Sequence, residues 1–420
     1  MSEPRWLQTL RGEARASFET LGLPTSQLED WRYTARALRP LGELELESAA
    51  CAEPSPDRGV LEEIASPLFA CSEFAFVDGH FDEALSTPRG LSGDLPVRSL
   101  RALIDDESDS LAGALGQLAR PKEDAFAALN TAHFEDGALV HIARDRDIAQ
   151  PLHLVFVTRD RADGSTHPRI AVRAEAGSRA TLIVDFVSAG DGRCFTNSLL
   201  EIDLAENAEL DLVVLQRECN AALHVSRTYV RQGRDSRLRA HTLTLGGRSV
   251  RNDLEVVLAD EGAEVVLNGL FLGLGEQHID NHTLVDHAVP HCTSRELYKG
   301  VLADRARGVF RGRVVVRPDA QKTAAEQSNP NLLIGDRAEI DTKPQLEIYA
   351  DDVRCSHGAT IGQLDEDALF YLRARGIAND PARLILIQAF AAEISDALPA
   401  EALGERVREM FLQRLAGATA

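Results

Sequence analysis

From about residue 139 the chain falls into short runs in which apolar and polar residues alternate, with Gly, Asn and Asp between them. Helical spacing of apolar residues disappears there for some two hundred residues. Alternation sends successive side chains to opposite faces of an extended strand, so each run presents one apolar face. The runs also recur. Ala180/Leu182/Val184 is followed by Leu210/Leu212/Val214, then Leu238/Ala240/Thr242, then Val265/Leu267, at offsets of 30, 28 and 27. A second series interleaves at offsets of 28 and 26: Leu200/Ile202/Leu204, Thr228/Val230 and Leu254/Val256/Leu258. Two strands per repeat of this length suit a solenoid, in which each turn stacks on the last and its inward residues cover those of its neighbour. A β-sandwich with loosely regular strands is the ordinary alternative. A propeller fits less well, because no Trp-Asp or glycine-doublet signature recurs.

The flanks have a different texture. Residues 1–135 read as mainly helical and irregular. Trp6, Leu7, Leu10, Ala14, Phe18 and Leu21 recur at helical spacing until Gly22 and Pro24, and a second helical pattern covers roughly Val97 to Leu118. Between them one strand is predicted, Phe74 to Val77, closed by Asp78-Gly79. From about 365 helices return. Asp365 is placed to cap a helix through Leu369, Phe370, Leu372 and Ala374, with Gly376 past its end. Asp380 is the expected cap of a second, with Pro381 at its first position, and a third follows Pro399. The expected organisation is a mainly helical N-terminal region (1–135), a β-solenoid core (136–362) and a C-terminal helical region (363–420).

Composition narrows the function. With 420 residues, 44% of them hydrophobic, the chain can bury a large core. Sixty-six acidic residues against 45 basic ones give a net charge of −21, which repels polyanions and argues against a nucleic-acid partner. The first residues lack the apolar run and cleavage site of a secretory signal, and Leu384–Leu398 is broken by Gln388, Glu393 and Asp396. A soluble, cytoplasmic protein with no membrane partner is expected. Six scattered cysteines, none in a CxxC, then read as thiols rather than a disulfide frame.

The sharpest local feature is Asp351 to Thr360, containing Cys355-Ser356-His357. In an extended strand Cys355 and His357 point to one side. Thiolate and imidazole together suit iron, zinc or an Fe–S species, but two ligands leave a tetrahedral site incomplete. A buried cysteine beside a hydrogen-bonded histidine is the plain structural reading. A second cluster, His278, His282, His287, His291 and Cys292, spaces its members too widely along a strand for one metal, since four residues span ~13 Å; stacked polar side chains explain it better. Phosphate-loop, dinucleotide, HExxH and GxSxG motifs are all missing, so no catalytic residue and no nucleotide site is expected.

Over nearly the whole length, blocks in a fixed order resemble the SufB/SufD family of iron–sulfur cluster assembly proteins. They are Leu23-Pro24-Thr25 with Glu29-Asp30-Trp31-Arg32-Tyr33-Thr34, Ala127-Ala128-Leu129-Asn130, Gly308-Val309-Phe310-Arg311-Gly312, Ala320 to Thr323, Asn331 to Ile334, Pro344 to Ile348, Asp351 to Gly362, and Phe370 to Ile377. SufB-like chains carry a cysteine just before the Leu-Leu pair, where this chain has Asn329-Pro330-Asn331. They depart from Cys-Ser-His-Gly-Ala-Thr, and they tend to a cysteine after Phe-Tyr, where this chain has Leu372. All three differences favour the other branch. The resemblance implies a right-handed parallel β-helix between helical regions and a non-catalytic scaffold subunit. Its partners would be a SufB-type chain, through the β-helix, and the ATPase SufC, through the C-terminal helices. A cysteine desulfurase system would supply sulfur indirectly. Cys355 and His357 would lie at the interface with the SufB-type chain, as ligands of iron or a nascent cluster that is transient in the complex and not tightly bound by the isolated chain. A homodimer of the free chain is left open. The competing readings are a SufB-like principal scaffold and a cytosolic polysaccharide-active β-helix enzyme.

Overall fold

The computed structural model describes residues 3–47, 59, 71–91, 95–106, 111, 113–159 and 164–419. Its centre is a parallel β-solenoid of about eight turns. Consecutive strands alternate between two sheets, and each pairs in parallel with the strand one full turn away. The repeats read from the sequence are the rungs of this ladder. Leu210 pairs with Ala180 and with Leu238, Leu212 with Leu182 and with Ala240, and Val214 with Val184 and with Thr242. In the second sheet Thr228 and Val230 sit between Leu200/Ile202 and Leu254/Val256. Equivalent residues thus form columns, and the inward columns of both sheets fill one continuous apolar lumen.

Helices cover the outside, a different region on each sheet. The helices Asn379–Asp396 and Glu401–Thr419 place Ile387, Ala391, Ile394, Val407 and Phe411 on the outer face of the first sheet, against Ile183, Val213, Leu243, Leu270 and Val301. On the second sheet Trp31, Leu38 and Leu41, with Phe126 and Leu129 of the helix Ala125–His133, pack against Phe195, Leu223 and Val225. The Glu29–Thr34 block is a lashing: Arg251 lies over the Trp31 ring at 3.8 Å and donates to the Asp30 carbonyl at 2.6 Å, while Lys343 pairs with Glu29 at 2.6 Å.

The expected strand is present as Ser72–Val77, but it belongs to the solenoid, pairing in parallel with the strand Asp147–Thr158. It turns at Asp78-Gly79, both at positive φ as a tight hairpin requires, into the strand His80–Thr87. Asp365 caps its helix, accepting from the Asp367 and Ala368 amides, and Gly376 beyond that helix has φ +88°. Two expectations need correction. The stretch from Val97 is not one helix: Val97–Ser99 is a strand against Gly137–Ile142, and the helix that Ser99 caps covers only Leu100–Asp105. Residues 107–110 and 112 lie outside the described residues, and Gly116 at φ +71° then suits a turn. The helix expected to begin at Pro381 under an Asp380 cap begins two residues earlier, at Asn379, without a side-chain cap.

The lumen changes character along its length. One column of the first sheet runs Leu182, Leu212, Ala240, Leu267, then Glu296, Gln327 and His357. The next runs Thr242, Gly269, Tyr298, Asn329, where a Cβ on Gly269 would lie 2.1 Å from the Tyr298 ring. Buried polar groups must find partners. Gln327 Nε2 donates to Glu296 Oε2 at 2.6 Å, Asn329 Nδ2 donates to the Tyr298 carbonyl at 2.8 Å, and Thr342 Oγ1 donates across the lumen to Asn329 Oδ1 at 2.7 Å.

Burial pushes the Glu296 carboxyl from 4.5 up to about 7. The folded state therefore holds that proton more tightly than the unfolded chain does. Its stabilising contribution is full below pH 4.5 and is lost as pH rises through about 7. Glu296→Gln keeps an acceptor for Gln327 but does not titrate. Urea unfolding should show the variant gaining on the parent protein between pH 5 and 8, by roughly 3 kcal/mol at most. Parallel pH profiles would show that Glu296 ionises normally.

Candidate functional site

The solenoid has to stop, and how it stops makes the site. The strand Arg354–Gly362 is the last of the first sheet. One of its edges pairs with Ala324–Ile334, in the register Ala325–Cys355 and Gln327–His357; the other edge has no strand beside it among the described residues. The second sheet ends in the same way at Glu339–Ile348. Among the described residues no further turn covers either rung. Ile361 is 53% exposed and Tyr349 61%. An uncovered strand edge carrying apolar side chains is a ready template for another chain.

Alternation places Cys355 and His357 on the lumen-facing side of this rung, their Cα atoms about 7 Å apart. Cys355 is half-buried against the apolar lumen and stacks on Ala325. Burial pushes its thiol up from 9.0, so it is protonated at neutral pH. His357 continues the Glu296–Gln327 column into solvent: it is exposed, and its ring makes no hydrogen bond among the described residues. The plain structural expectation, a buried histidine satisfied by a hydrogen bond, therefore does not describe it. A shallow groove beside Cys355 is lined by Ser294, Arg295, Glu326, Arg354 and Ser356. One thiol and one imidazole on an open rung give half of a tetrahedral donor set, on a surface where a second chain can supply the rest.

The second histidine cluster disperses. His278 is tied to Thr34 Oγ1 at 3.0 Å, and His282 to Asp280 at 3.0 Å, both on the face that carries the N-terminal lashing. His287 lies on the lumen side 2.8 Å from Ser294 Oγ, where burial pushes its imidazole down to about 4. His291 occupies a turn at φ +62°, and buried Cys292 donates to the Asp260 carbonyl at 3.4 Å. His278, His282, His287 and Cys292 thus have separate partners.

Sequence reasoning missed the polar column that leads to His357. Its signal was present, because Glu296, Gln327 and His357 follow Leu267 at offsets of 29, 31 and 30, but it is legible only once the repeat is carried past its last apolar member.

No helix among the described residues is long and apolar enough to cross a membrane. Residues 156–390 match the family described as "SUF system FeS cluster assembly, SufBD core domain", and residues 2–154 match "SufBD protein N-terminal region". The iron–sulfur cluster assembly protein SufD of Escherichia coli is 35% identical over 399 residues, covering 94% of this chain and 90% of the relative. A SufBD family protein of Synechocystis is 34% identical over 401 residues, covering 93% and 87%. Bacillus subtilis SufD aligns over 96% of this chain and 93% of its own length at 23% identity. With both family regions matched in order and relatives aligned almost end to end, the chain belongs to the SufB/SufD family of iron–sulfur cluster assembly scaffolds, and within it to the SufD type.

Proposed function

We propose that this chain is a non-catalytic, cytoplasmic scaffold subunit that docks a SufB-type chain on the open end of its solenoid and there offers Cys355 and His357 to iron or a nascent cluster. The observation that carries the reading is the uncovered terminal rung, with His357 exposed on it and its ring without a hydrogen bond among the described residues. A partner solenoid set end to end would extend both sheets, satisfy the open edges of Arg354–Gly362 and Glu339–Ile348, and exclude water from the Cys355–His357 side. Iron is then cargo. A neutral imidazole ligates it directly, and the Cys355 thiol gives up its proton to solvent as the iron–sulfur bond forms. A donor from the partner completes the set, so assembly requires two chains. Sulfur arrives indirectly from a cysteine desulfurase system, and ATP turnover belongs to SufC.

The SufC contact is proposed on the C-terminal helices, at the faces the solenoid leaves free. The helices Asn379–Asp396 and Glu401–Thr419 spend much of their apolar surface on the first sheet. The helix Glu366–Ala374 does not: Phe370 is 72% exposed and Tyr371 57%. Ile385 on the next helix is exposed as well. Large aromatics left in water at a helix surface are the residue type that anchors interfaces. Deleting residues 365–420 would strip the cover from the outer face of the first sheet, so single exposed positions make the cleaner test.

For His357→Ala, the complex with the SufB-type chain and SufC should assemble with unchanged stoichiometry, while iron-dependent cluster formation, followed by absorbance and by iron and sulfide content, falls at least tenfold. Full cluster yield from a well-formed variant complex would rule out the role given to His357. Phe370→Asp adds a charge on a solvent-facing position, so circular dichroism and melting should not change. Its affinity for SufC, measured by calorimetry, should drop roughly tenfold or more. Unaltered affinity would move the SufC contact elsewhere.

A further inference from the structure

At the opposite end of the first sheet three side chains converge that the reading above does not use. Cys71 directly precedes the strand Ser72–Val77, and Glu73 lies on it. The i, i+2 spacing puts both on one face. Glu73 is the direct rung partner of His153 on the neighbouring strand. His153 Nδ1 lies 3.7 Å from Cys71 Sγ and 3.5 Å from Glu73 Oε2, and all three donor atoms fall within 4.8 Å of one another. The carboxylate contact is too long for an N–H···O bond. Three donors around a tetrahedral ion, with metal–sulfur near 2.3 Å and metal–nitrogen or –oxygen near 2.1 Å, stand roughly 3.4–3.6 Å apart. The two separations from His153 Nδ1, 3.7 and 3.5 Å, are close to this.

The surroundings match a metal-bound imidazole. His153 is fully buried, and its other nitrogen, Nε2, lies 3.4 Å from Asp185 Oδ2. Asp185, also fully buried, is gripped by Arg217, whose Nε and Nη2 donate to its two oxygens at 3.0 and 2.7 Å. At 3.4 Å the His153–Asp185 contact is an ion-pair distance rather than a hydrogen bond; it sets a buried carboxylate behind the ring, and Arg217 holds that carboxylate in place. Apolar neighbours on the same face, Ala75, Val155 and Val187, close the sides. Glu73 is 19% exposed, which leaves the donor set open to solvent at one point.

We propose that Cys71 Sγ, Glu73 Oε2 and His153 Nδ1 form a three-donor site for a borderline first-row divalent cation, Zn²⁺ or Fe²⁺, with water in the fourth position. One thiolate, one imidazole and one carboxylate suit this class and disfavour Mg²⁺ and Ca²⁺, which take oxygen donors. On binding, the six-coordinate aqua ion keeps one water and sheds five for the three protein donors, and the Cys71 thiol and the protonated His153 imidazole each release a proton to solvent. The site lies eight strand spacings from the Cys355 rung, roughly 38 Å, so it does not share a metal with that end. It clamps the start of the first solenoid strand to its neighbour.

Cobalt(II) is a direct probe, because thiolate ligation gives a near-ultraviolet charge-transfer band and tetrahedral geometry gives visible d–d bands. The chelator-stripped full chain should take up one equivalent with both signatures. Cys71→Ser should abolish the charge-transfer band, and Glu73→Gln, at a partly exposed position, should weaken binding about 10- to 100-fold. The Cys355→Ser, His357→Ala double variant should keep the full spectrum. Displacement of cobalt by Zn²⁺ alone would make this a zinc site, and displacement by anaerobic Fe²⁺ at similar concentration a ferrous one; either supports the proposal. It is overturned if no stoichiometric uptake occurs at micromolar metal, if the band survives Cys71→Ser, or if it vanishes in the double variant. Should Cys71→Ser fail to fold, unaltered cobalt affinity in folded Glu73→Gln overturns it alone.

Discussion

Everything in this molecule depends on the parallel register that stacks each turn on the one before. Once Leu212 is hydrogen-bonded between Leu182 and Ala240, the identity of every column follows. Inward positions must be apolar or internally satisfied, and outward positions must either meet water or be covered. The register also makes the fold open-ended. A solenoid satisfies the strand edges of every turn except its last, so its termination has to be managed by caps or by a partner. Here the outer faces of both sheets are covered by helices, yet the final rungs are bare.

The change from apolar to polar in two inward columns of the first sheet belongs to that termination. Leucine columns stabilise the middle turns by burial, whereas Glu296, Gln327, Asn329 and Thr342 hold the last turns together through directional bonds with fixed partners. A dry leucine column ending in water would leave an apolar plug exposed. A polar column can end in water, and His357 is where it does. Rigidity of the rung beneath and freedom of the ring above are what a ligand-presenting side chain needs.

The fold was legible because its determinant is periodic. Offsets of 26 to 30 between like trios are the turn length itself, and strict alternation puts all members of a trio on the inward face. The helices were legible through their ends, as Asp365 and Gly376 illustrate. The Val97 stretch was misread because its apolar residues serve a short strand and a short helix in succession, and periodicity cannot place a boundary inside nine residues. Cys355 and His357 could be named from a local pattern, but their setting on an uncovered rung depends on where the stacking stops. Cys71, Glu73 and His153 could not be found in the sequence at all: some 80 residues separate them, and only the parallel pairing of two outward-facing positions brings Glu73 and His153 together.

The central claim is that the bare end of the solenoid is a joining surface. Amide hydrogen exchange reads it most directly, since an unpaired strand edge exchanges fast and a paired one slowly. On mixing with the SufB-type chain, peptides covering Arg354–Gly362 and Glu339–Ile348 should become strongly protected, while the middle rungs, already paired on both sides, should not change. Protection confined to other surfaces, with the terminal rungs exchanging as in the free chain, would contradict the account.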